Sequence, residues 1–589
     1  MKRSLLLRVV KNINPSPASR ITAVAIFIAV LVSLLLGSGL YKVVVLKVSP
    51  PTELLEIAVS VQSSSTEIAR RGKLLDRKNR ILAASRLGYS LFVDPHIAHQ
   101  GDPSELALEL SEKLQLSPAE VEMKIRSNPK ARYVVLVPLL SPSQVKIAES
   151  IDHRSIGLTK LLVREYPHGE LGGTLIGLVG KEHNGLAGFE DQFDKALTGT
   201  SGKLSRQRDS KRRTLWVSPE QYLPRTDGKD VQLSIDVVIQ KIATERLQEE
   251  IIRCNAGGGR IIVVDPATGE ILAMADILNP REGWSQQASD PNRDIHPRLG
   301  RNRCVTDPYE PGSTFKPFVW SYATELGKAS VDEILPTPSS QPYRTPFGRV
   351  IRDAHYYGPS SWEKVLVKSM NSGMAIVSLR LSHTEMQEAV RRFGFGERTR
   401  IGLGGETAGI LTSSKNWNNY TQTSVSMGHE IAVTPLQMAQ GFCAFARDGT
   451  IPQLLLTPAI GGDAVIVRKA ISPETAALTR RILGNVMTEG TGQKAKSEMY
   501  ALFGKSGTAQ LPREDGKGYF EDRYVSSFIA GAPLETPELV VLCVIDDPDR
   551  RIAHYGGVIA GPVVRDVLDS SLQYLGIAPA AEFLATAGN

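Results

Sequence analysis

The chain has 589 residues, of which 42% are hydrophobic and 22% are charged, and its formal net charge is +7. This is ordinary globular composition, with material for more than one hydrophobic core. The basic excess lies entirely within residues 1–47, which hold no acidic residue, so a basic nucleic-acid-binding domain is excluded.

An uncharged, mainly apolar run extends from Ile21 to Tyr41. About twenty such residues cross the hydrocarbon core of a bilayer as a helix, and the basic residues before the run favour a cytoplasmic N-terminus. The alternative is a cleaved signal peptide with a cleavage site at Gly37-Ser38-Gly39, but the run is longer than a signal core and lacks an A-x-A pattern. We therefore expect a cytoplasmic tail over 1–20, one uncleaved anchor in the cytoplasmic membrane over 21–46, and an exported, periplasmic remainder.

The next predicted elements form a first exported domain, residues 48–225. It begins as a juxtamembrane linker over 48–70. Apolar spacing over 103–115 predicts a helix, and the β-rich run over 131–139 predicts a strand. Charged and apolar residues alternate over 201–217, which indicates a solvated hairpin rather than a binding patch.

A second domain is predicted over 230–578, with a short tail over 579–589. Its elements are a strand and helix over 231–251, a hairpin over 259–275, two strands over 524–547 and a closing helix over 564–576. Strands at both ends with helices between them predict an α+β domain in which helices flank an antiparallel sheet.

The cysteines are Cys254, Cys304, Cys443 and Cys543, with no CxxC pair and no metal-ligand spacing. Cys443 and Cys543 lie in apolar runs, as small buried residues do. Export would permit disulfides, but we expect four unpaired structural cysteines and no metal or cofactor site.

Three short motifs carry the chemistry of the chain. The first is Ser313-Thr314-Phe315-Lys316, which Pro311 and Gly312 precede as a turn into a helix would require. Residues three apart share a helix face, so the Lys316 amine can reach the Ser313 hydroxyl and activate it as a nucleophile. Other SxxK tetrapeptides lack this context: Ser127-Lys130, Ser143-Lys146 and Ser361-Lys364.

The second motif is Ser369-Met370-Asn371 and the third is Lys505-Ser506-Gly507-Thr508. Ser369 can relay a proton, and the Asn371 amide can hold a substrate peptide group. Positive charge on Lys505 favours the neutral amine of Lys316, so we expect a lowered pKa for Lys316. Gly507 lets a ligand approach the strand backbone closely.

The order SxxK, SxN, K[ST]G is the signature of the penicillin-recognising serine enzymes, and the chain resembles a class B penicillin-binding protein from about residue 65 to 575. The segments 69–83, 164–180 and 185–199 resemble the non-catalytic pedestal of that family, and 301–318, 433–449 and 554–567 resemble its septal, division-type transpeptidases. The resemblance implies a membrane anchor, an elongated mixed α/β pedestal and a serine β-lactamase-like transpeptidase domain.

The resemblance also implies the role of each site residue. Ser313 is the acylated nucleophile, Lys316 its general base and Ser369 the proton shuttle to the leaving amine. Asn371 positions a donor stem peptide that ends in D-Ala-D-Ala, and its terminal carboxylate binds along the strand that carries Lys505, Ser506, Gly507 and Thr508. The backbone N–H groups of Ser313 and Thr508 form the oxyanion hole, and β-lactams acylate the same serine.

Two positions depart from the family pattern. Ser506 stands where threonine is commoner, and Gly428-His429-Glu430 stands where many relatives have Gly-Gln-Gly. His429 and Glu430 could contact the site, but we favour the interpretation of the second segment as a structural loop. No block resembles a glycosyltransferase, so the resemblance implies a monofunctional enzyme, for which a separate SEDS-family membrane protein supplies the glycan polymerisation.

Two other function classes stay open on the sequence. A β-lactamase or β-lactam sensor would keep the fold without cross-linking, but such proteins usually lack so large a pedestal, and a sensor needs intracellular signalling sequence. A non-enzymatic division scaffold would carry a vestigial site, whereas every motif position here is chemically competent.

Overall fold

A computed structural model describes residues 17–53, 62–208, 214–217, 222–279, 296–513 and 518–579. The tail predicted over 1–20 lies outside the described residues as far as residue 16, and the tail predicted over 579–589 lies outside them from residue 580. Contacts divide the molecule into two units, residues 1–68 with 201–226 and residues 69–200 with 227–589.

The described elements alternate between helices and strands along most of the chain. The helices, α1 to α18, are Pro17–Val48, Pro95–Ala98, Pro103–Leu114, Pro118–Ser127, Pro142–Glu149, Gly173–Ile176, Gly188–Gln192, Asp194–Leu197, Val237–Arg253, Arg303–Thr306, Lys316–Glu325, Trp362–Val367, Asn371–Ser378, His383–Arg392, Asn419–Ser426, Pro435–Ala446, Pro473–Thr488 and Gly556–Leu575. The strands, β1 to β21, are Gln62–Glu67, Leu74–Leu75, Ile81–Val93, Val134–Val137, Ile156–Glu165, Gly202–Arg208, Thr214–Val217, Val231–Gln232, Gly258–Val264, Ile271–Leu278, Ile334–Leu335, Tyr343–Arg344, Val350–Ile351, Ser360–Ser361, Ile410–Leu411, Ile431–Ala432, Thr450–Pro452, Ile466–Lys469, Phe503–Pro512, Tyr519–Ala532 and Leu539–Asp546.

The first unit contains the apolar helix α1 and a small antiparallel sheet. Residues 18–48 of α1 are long and apolar enough to cross a membrane, which agrees with the predicted anchor. Strand β6 pairs with β7, so the predicted pairing within 201–217 is confirmed. Residues 209–213, between the two strands, lie outside the described residues. The predicted linker over 48–70 is wrong in part, because β1 forms a strand that pairs with β6.

The second unit begins with a mixed sheet in which the long strand β3 pairs with β2, β4 and β5. The short strand β8 pairs with β2 in parallel, so the chain returns to this sheet before the next domain begins. Helix α3 starts at the Asp102 cap, whose carboxylate accepts a hydrogen bond from the Ser104 N–H. Its buried residues, Leu106 and Leu110, pack in one core with residues of β3 and β4.

A buried carboxylate joins three segments of this region. Glu190 on α7 is fully buried and accepts hydrogen bonds from Arg71 Nε at 2.7 Å and from Arg164 Nε at 2.8 Å. Both arginine side chains are also almost completely buried. Since each charge has lost its water, the ion cluster depends on all three partners being present.

The largest sheet is five-stranded and antiparallel, in the order β10-β9-β21-β20-β19. Successive residues of β9 and β21 point into two different cores, because side chains alternate between the faces of a strand. Helices α9 and α18 cover one face, and a larger set that includes α11 and the wholly buried α16 covers the other. This arrangement confirms the predicted antiparallel sheet flanked by helices.

Other sequence expectations of this domain are confirmed with shifted bounds. The hairpin over 259–275 and the two strands over 524–547 form as predicted. The closing helix predicted over 564–576 begins earlier, at Gly556. Pro562 lies inside this helix without ending it. All four cysteines are buried and free, as expected.

The ion cluster around Glu190 gives a stability prediction. Glu190→Gln should lower the free energy of unfolding by about 3–5 kcal/mol, because the buried Arg164 loses its carboxylate partner and the buried Arg71 keeps only Asp194. The measurement is a urea titration of the detergent-solubilised chain followed by tryptophan fluorescence.

The matched control is Glu165→Gln, which removes the exposed partner of Arg86 on the strand that carries Arg164. Its effect should stay below about 1 kcal/mol. Equal effects of the two substitutions would contradict a special role for the buried cluster.

Candidate active site

The turn that carries Ser313 is a tight 3-10 turn, Gly312–Phe315, which leads directly into α11. In this geometry side chains three residues apart are nearly eclipsed. Ser313 and Lys316 therefore lie on one side of the segment, with Ser313 partly exposed and Lys316 fully buried. Among the described residues, the Ser313 hydroxyl has no hydrogen-bond partner, which leaves its oxygen available to a ligand.

The Ser369 hydroxyl lies between the two motif lysines. Lys316 Nζ donates to Ser369 Oγ at 3.2 Å, to the Ser369 carbonyl oxygen at 2.6 Å and to Asn371 Oδ1 at 2.7 Å. Lys505 Nζ donates to the same Ser369 Oγ at 2.9 Å and to the Ser506 carbonyl oxygen at 3.0 Å. The three motifs, distant in sequence, therefore meet at one hydroxyl.

Burial controls the protonation of the two amines. Both lysine side chains are fully buried. Burial lowers the pKa of Lys316 to about 7, against an opposing attraction from Asp353. Burial also holds the pKa of Lys505 well below its usual range, and the charge of Lys316 lowers it further. The lowered Lys316 pKa agrees with the sequence expectation, but its cause is burial rather than the charge of Lys505.

The backbone of Ser369 adopts a left-handed conformation, with φ of +58°. Helix α12 ends there in a Schellman motif, in which Met370 N–H donates to the Val365 carbonyl and Ser369 N–H to the Leu366 carbonyl. Glycine is usual at this position, since an L-residue pays about 1–2 kcal/mol for it. The strain directs the Ser369 side chain towards the two lysines.

Asn371 begins helix α13, and Asp353 caps that helix. The carboxylate of Asp353 accepts hydrogen bonds from the backbone N–H groups of Asn371 and Ser372 and from the Ser372 hydroxyl. The Asn371 side-chain amide donates to the Arg352 carbonyl at 2.8 Å, which turns its oxygen towards Lys316. Sequence analysis missed Asp353, because no motif surrounds it.

The third motif lies on β19, which is the edge strand of the large sheet. Ser506 Oγ donates to Thr491 Oγ1 at 2.7 Å, and Thr508 Oγ1 accepts from the Gly556 N–H at 3.0 Å. A side chain at Gly507 would lie 2.7 Å from the Pro311 carbonyl oxygen. This glycine therefore lets the Ser313 turn pack against β19, whereas the sequence suggested room for a ligand.

The His429 and Glu430 segment borders the same turn. Gly312 N–H donates to the Gly428 carbonyl at 3.0 Å, and His429 Nδ1 lies 3.0 Å from Glu310 Oε2. The side chains of His429 and Glu430 line a cleft beyond Thr508. Among the described residues, no group of three His, Cys, Asp or Glu side chains is placed to hold a metal ion.

Comparison with known proteins assigns both halves of the chain. Residues 259–569 match the family model for the penicillin binding protein transpeptidase domain, and residues 66–233 match that for the penicillin-binding protein dimerisation domain. The probable peptidoglycan D,D-transpeptidase PenA of Neisseria meningitidis serogroup B is 32% identical, over 96% of this chain and 95% of that protein. The peptidoglycan D,D-transpeptidase FtsI of Escherichia coli K12 is 29% identical, over 89% of this chain and 86% of that protein.

A solved structure shows the same fold. The crystal structure of a peptidoglycan synthetase from Bifidobacterium adolescentis superposes with a TM-score of 0.65 at 23% identity, and the match covers 88% of this chain and 98% of that chain.

The left-handed backbone of Ser369 gives a prediction about stability. Ser369→Gly and Ser369→Ala both remove the hydroxyl, but only alanine keeps the strained backbone. Relief of the left-handed strain stabilises the glycine variant, and the greater freedom of its unfolded chain offsets part of that gain. The net result should be a glycine variant that is more stable than the alanine variant by about 1 kcal/mol. Urea midpoints of the two variants measure this difference, and equal midpoints would show that the conformation is not strained.

The burial of Lys316 gives a prediction about pH. A lysine acts as a base only in its neutral form, which prevails above its pKa. The rate at which a penicillin acylates Ser313 should therefore rise as pH increases through about 7 and fall below it. Because the two amines interact, the measured value belongs to the pair.

Stopped-flow acylation rates between pH 5 and 10 test this expectation. The variant His429→Gln is the control. If Lys316 rather than this histidine is responsible, the acylation rate of the variant should rise at the same pH as that of the wild type. A rise that occurs only above about pH 9, near the ordinary lysine pKa, would contradict it.

Proposed function

The chain belongs to the class B penicillin-binding proteins, and on that basis we propose that it is a monofunctional, serine-dependent peptidoglycan D,D-transpeptidase. The observation that carries the proposal is the Ser369 hydroxyl held between the buried amines of Lys316 and Lys505, since Lys316 lies one turn after the free Ser313 hydroxyl. The similarity to FtsI supports a role in septal cell-wall synthesis during division.

The first half of the reaction uses Ser313, Lys316 and Ser369. Ser313 Oγ attacks the carbonyl carbon of the penultimate D-Ala of a donor stem peptide, and its proton passes to the neutral amine of Lys316. The C–N bond to the terminal D-Ala then breaks, and Ser369 relays a proton to the departing amine. The products are free D-Ala and an ester on Ser313.

The remaining site residues hold the donor. Lys505, Ser506 and Thr508 bind the terminal carboxylate, and Asn371 positions the peptide. Gly507 brings the Ser313 turn against the same strand, so that the N–H groups of Ser313 and Thr508 stabilise the oxyanion. An amine of a second stem peptide then attacks the ester, a new amide bond forms, the bond to Ser313 Oγ breaks, and the hydroxyl regains its proton.

The cellular context follows from the same proposal. Residues 21–46 anchor the protein in the cytoplasmic membrane with residues 1–20 inside. The pedestal over 48–225 and the transpeptidase domain over 230–578 then work in the periplasm. A SEDS-family glycosyltransferase and other division proteins are the proposed partners, and β-lactams are the proposed inhibitors.

Covalent labelling tests the proposed nucleophile. The full chain in detergent should be labelled stably by a fluorescent penicillin, and Ser313→Ala should lose the label completely. The control is Ser143→Ala, which alters an exposed SxxK serine on α5 and should label as the wild type does.

Other outcomes separate the alternative functions. Rapid release of hydrolysed penicillin would indicate a β-lactamase. A folded wild-type chain that takes no label would contradict the proposed enzyme and favour a scaffold.

A further inference from the structure

A cleft of about 450 Å³ lies beside the far end of β19, beyond Thr508. Its walls include Arg349, Glu430, Gln510 and Tyr519. Side chains alternate along a strand, so Gln510 lies on the same face of β19 as Ser506 and Thr508. The cleft is therefore the next place that a peptide lying along β19 would reach.

The direction of the donor follows from the proposed function. An extended peptide can pair with the free edge of β19. If its terminal carboxylate lies at Lys505 and Ser506 and its reacting carbonyl lies at Thr508, the residues before that carbonyl extend towards Gln510. Two strand residues span about 6.6 Å. The residue that precedes D-Ala-D-Ala thus places its side chain in the cleft.

The negative charge at the cleft comes from Glu430, which lines it, and from Glu310, which contacts the lining residues His429 and Tyr519. Glu310 is held by hydrogen bonds from the Tyr519 hydroxyl at 2.9 Å and from the Glu430 N–H at 3.0 Å. Glu430 has a left-handed backbone, with φ of +57°. Its carboxylate accepts a hydrogen bond from the Ser424 hydroxyl at 2.7 Å and forms no ion pair with any cation among the described residues.

The positive charge of the cleft comes from Arg349. Its guanidinium carbon lies 3.8 Å from the centre of the Tyr420 ring. Nη1 donates to the Tyr420 carbonyl and to Thr423 Oγ1, both at 2.7 Å. Within the described chain Arg349 forms no salt bridge, although Glu430 is near enough for the two charges to attract each other. Its Nε and Nη2 donate no hydrogen bond to a described residue. A fixed guanidinium with a free edge is suited to binding a carboxylate with two parallel hydrogen bonds.

We propose that this cleft selects a donor whose residue before D-Ala-D-Ala ends in both an ammonium and a carboxylate, as the side chain of a diamino dicarboxylic acid does. Arg349 binds the carboxylate, and Glu430 binds the ammonium with support from the charge of Glu310. A lysine-like side chain leaves Arg349 without a partner, and a side chain with only a carboxylate leaves Glu430 without one. The inference deepens the proposed transpeptidase function and rests on it.

Three synthetic donors test the selection. Each is an acetylated dipeptide thioester, in which D-alanyl thioglycolate follows diaminopimelate, lysine or 2-aminopimelate. The full chain in detergent is mixed with each donor, and the rate of Ser313 acylation is followed by intact-protein mass spectrometry. The wild type should react with the diaminopimelate donor about tenfold or more faster than with either of the others, since each of these lacks one charge-assisted contact.

Two variants separate the two charges. Arg349→Gln should remove the preference for diaminopimelate over lysine, and Glu430→Gln should remove the preference for diaminopimelate over 2-aminopimelate. Arg349→Lys keeps the positive charge but cannot form two parallel hydrogen bonds to a carboxylate. This variant should keep part of the preference for diaminopimelate over lysine.

The matched control for Arg349 is Arg344→Gln. Arg344 is an exposed arginine on β12, which pairs with β13, the strand that follows Arg349. Its substitution should leave both donor preferences as in the wild type. Thermal midpoints show that each variant is folded.

The outcomes distinguish this inference from the proposed function. If penicillin labels Ser313 but the three donors react alike, or Arg349→Gln keeps the wild-type order, the selection is overturned and the transpeptidase function stands. If penicillin does not label Ser313, both are overturned.

Discussion

Lys316 and Lys505 both direct their amines at the hydroxyl of Ser369, and both side chains are removed from solvent. Burying two basic groups so close together is unfavourable while both are charged. The arrangement persists only because rigid elements hold it: a 3-10 turn that leads into a helix, a helix end in a left-handed conformation, and the edge strand of a large sheet. The same burial lowers the pKa of Lys316 to about 7, so a large fraction of its amine is neutral at physiological pH, as the proposed activation of Ser313 requires.

Close backbone packing holds these three elements in register. Gly507 admits the carbonyl of Pro311, and Gly428 packs against the backbone of Gly312, where a side chain would lie 2.0 Å from the Gly312 carbonyl oxygen. The large sheet behind them is buried on both faces, so its edge strand cannot shift without disturbing two cores. Strain at Ser369 is therefore compensated by packing elsewhere, as is common at functional sites.

Charged groups outside the site fall into two kinds. The cluster around Glu190 is closed, because its carboxylate and guanidinium groups form ion pairs with one another within the fold. The cleft beyond Thr508 is open, because Arg349 and Glu430 are each held by neutral groups while their charges stay unpaired among the described residues. A closed cluster contributes to the stability of the native state, whereas an open pair is available to a ligand of matching charge.

The sequence by itself determined the elements whose cause is local. The uncharged run predicted α1, and the apolar β-rich runs predicted four strands of the large sheet, β9, β10, β20 and β21. The spacing of Ser313 and Lys316 placed both on one side of a turn, because helical geometry depends only on near neighbours. The family motifs supplied the identity of the other site residues. The partner of β1 lies on β6, far along the chain, so the linker predicted over 48–70 missed a strand.

Only the tertiary structure decided that Asp353 caps the Asn371 helix, that Gly507 admits the Ser313 turn, and that burial rather than the charge of Lys505 lowers the pKa of Lys316. Burial and long-range contact are properties of the folded chain, since they depend on residues that no local pattern connects.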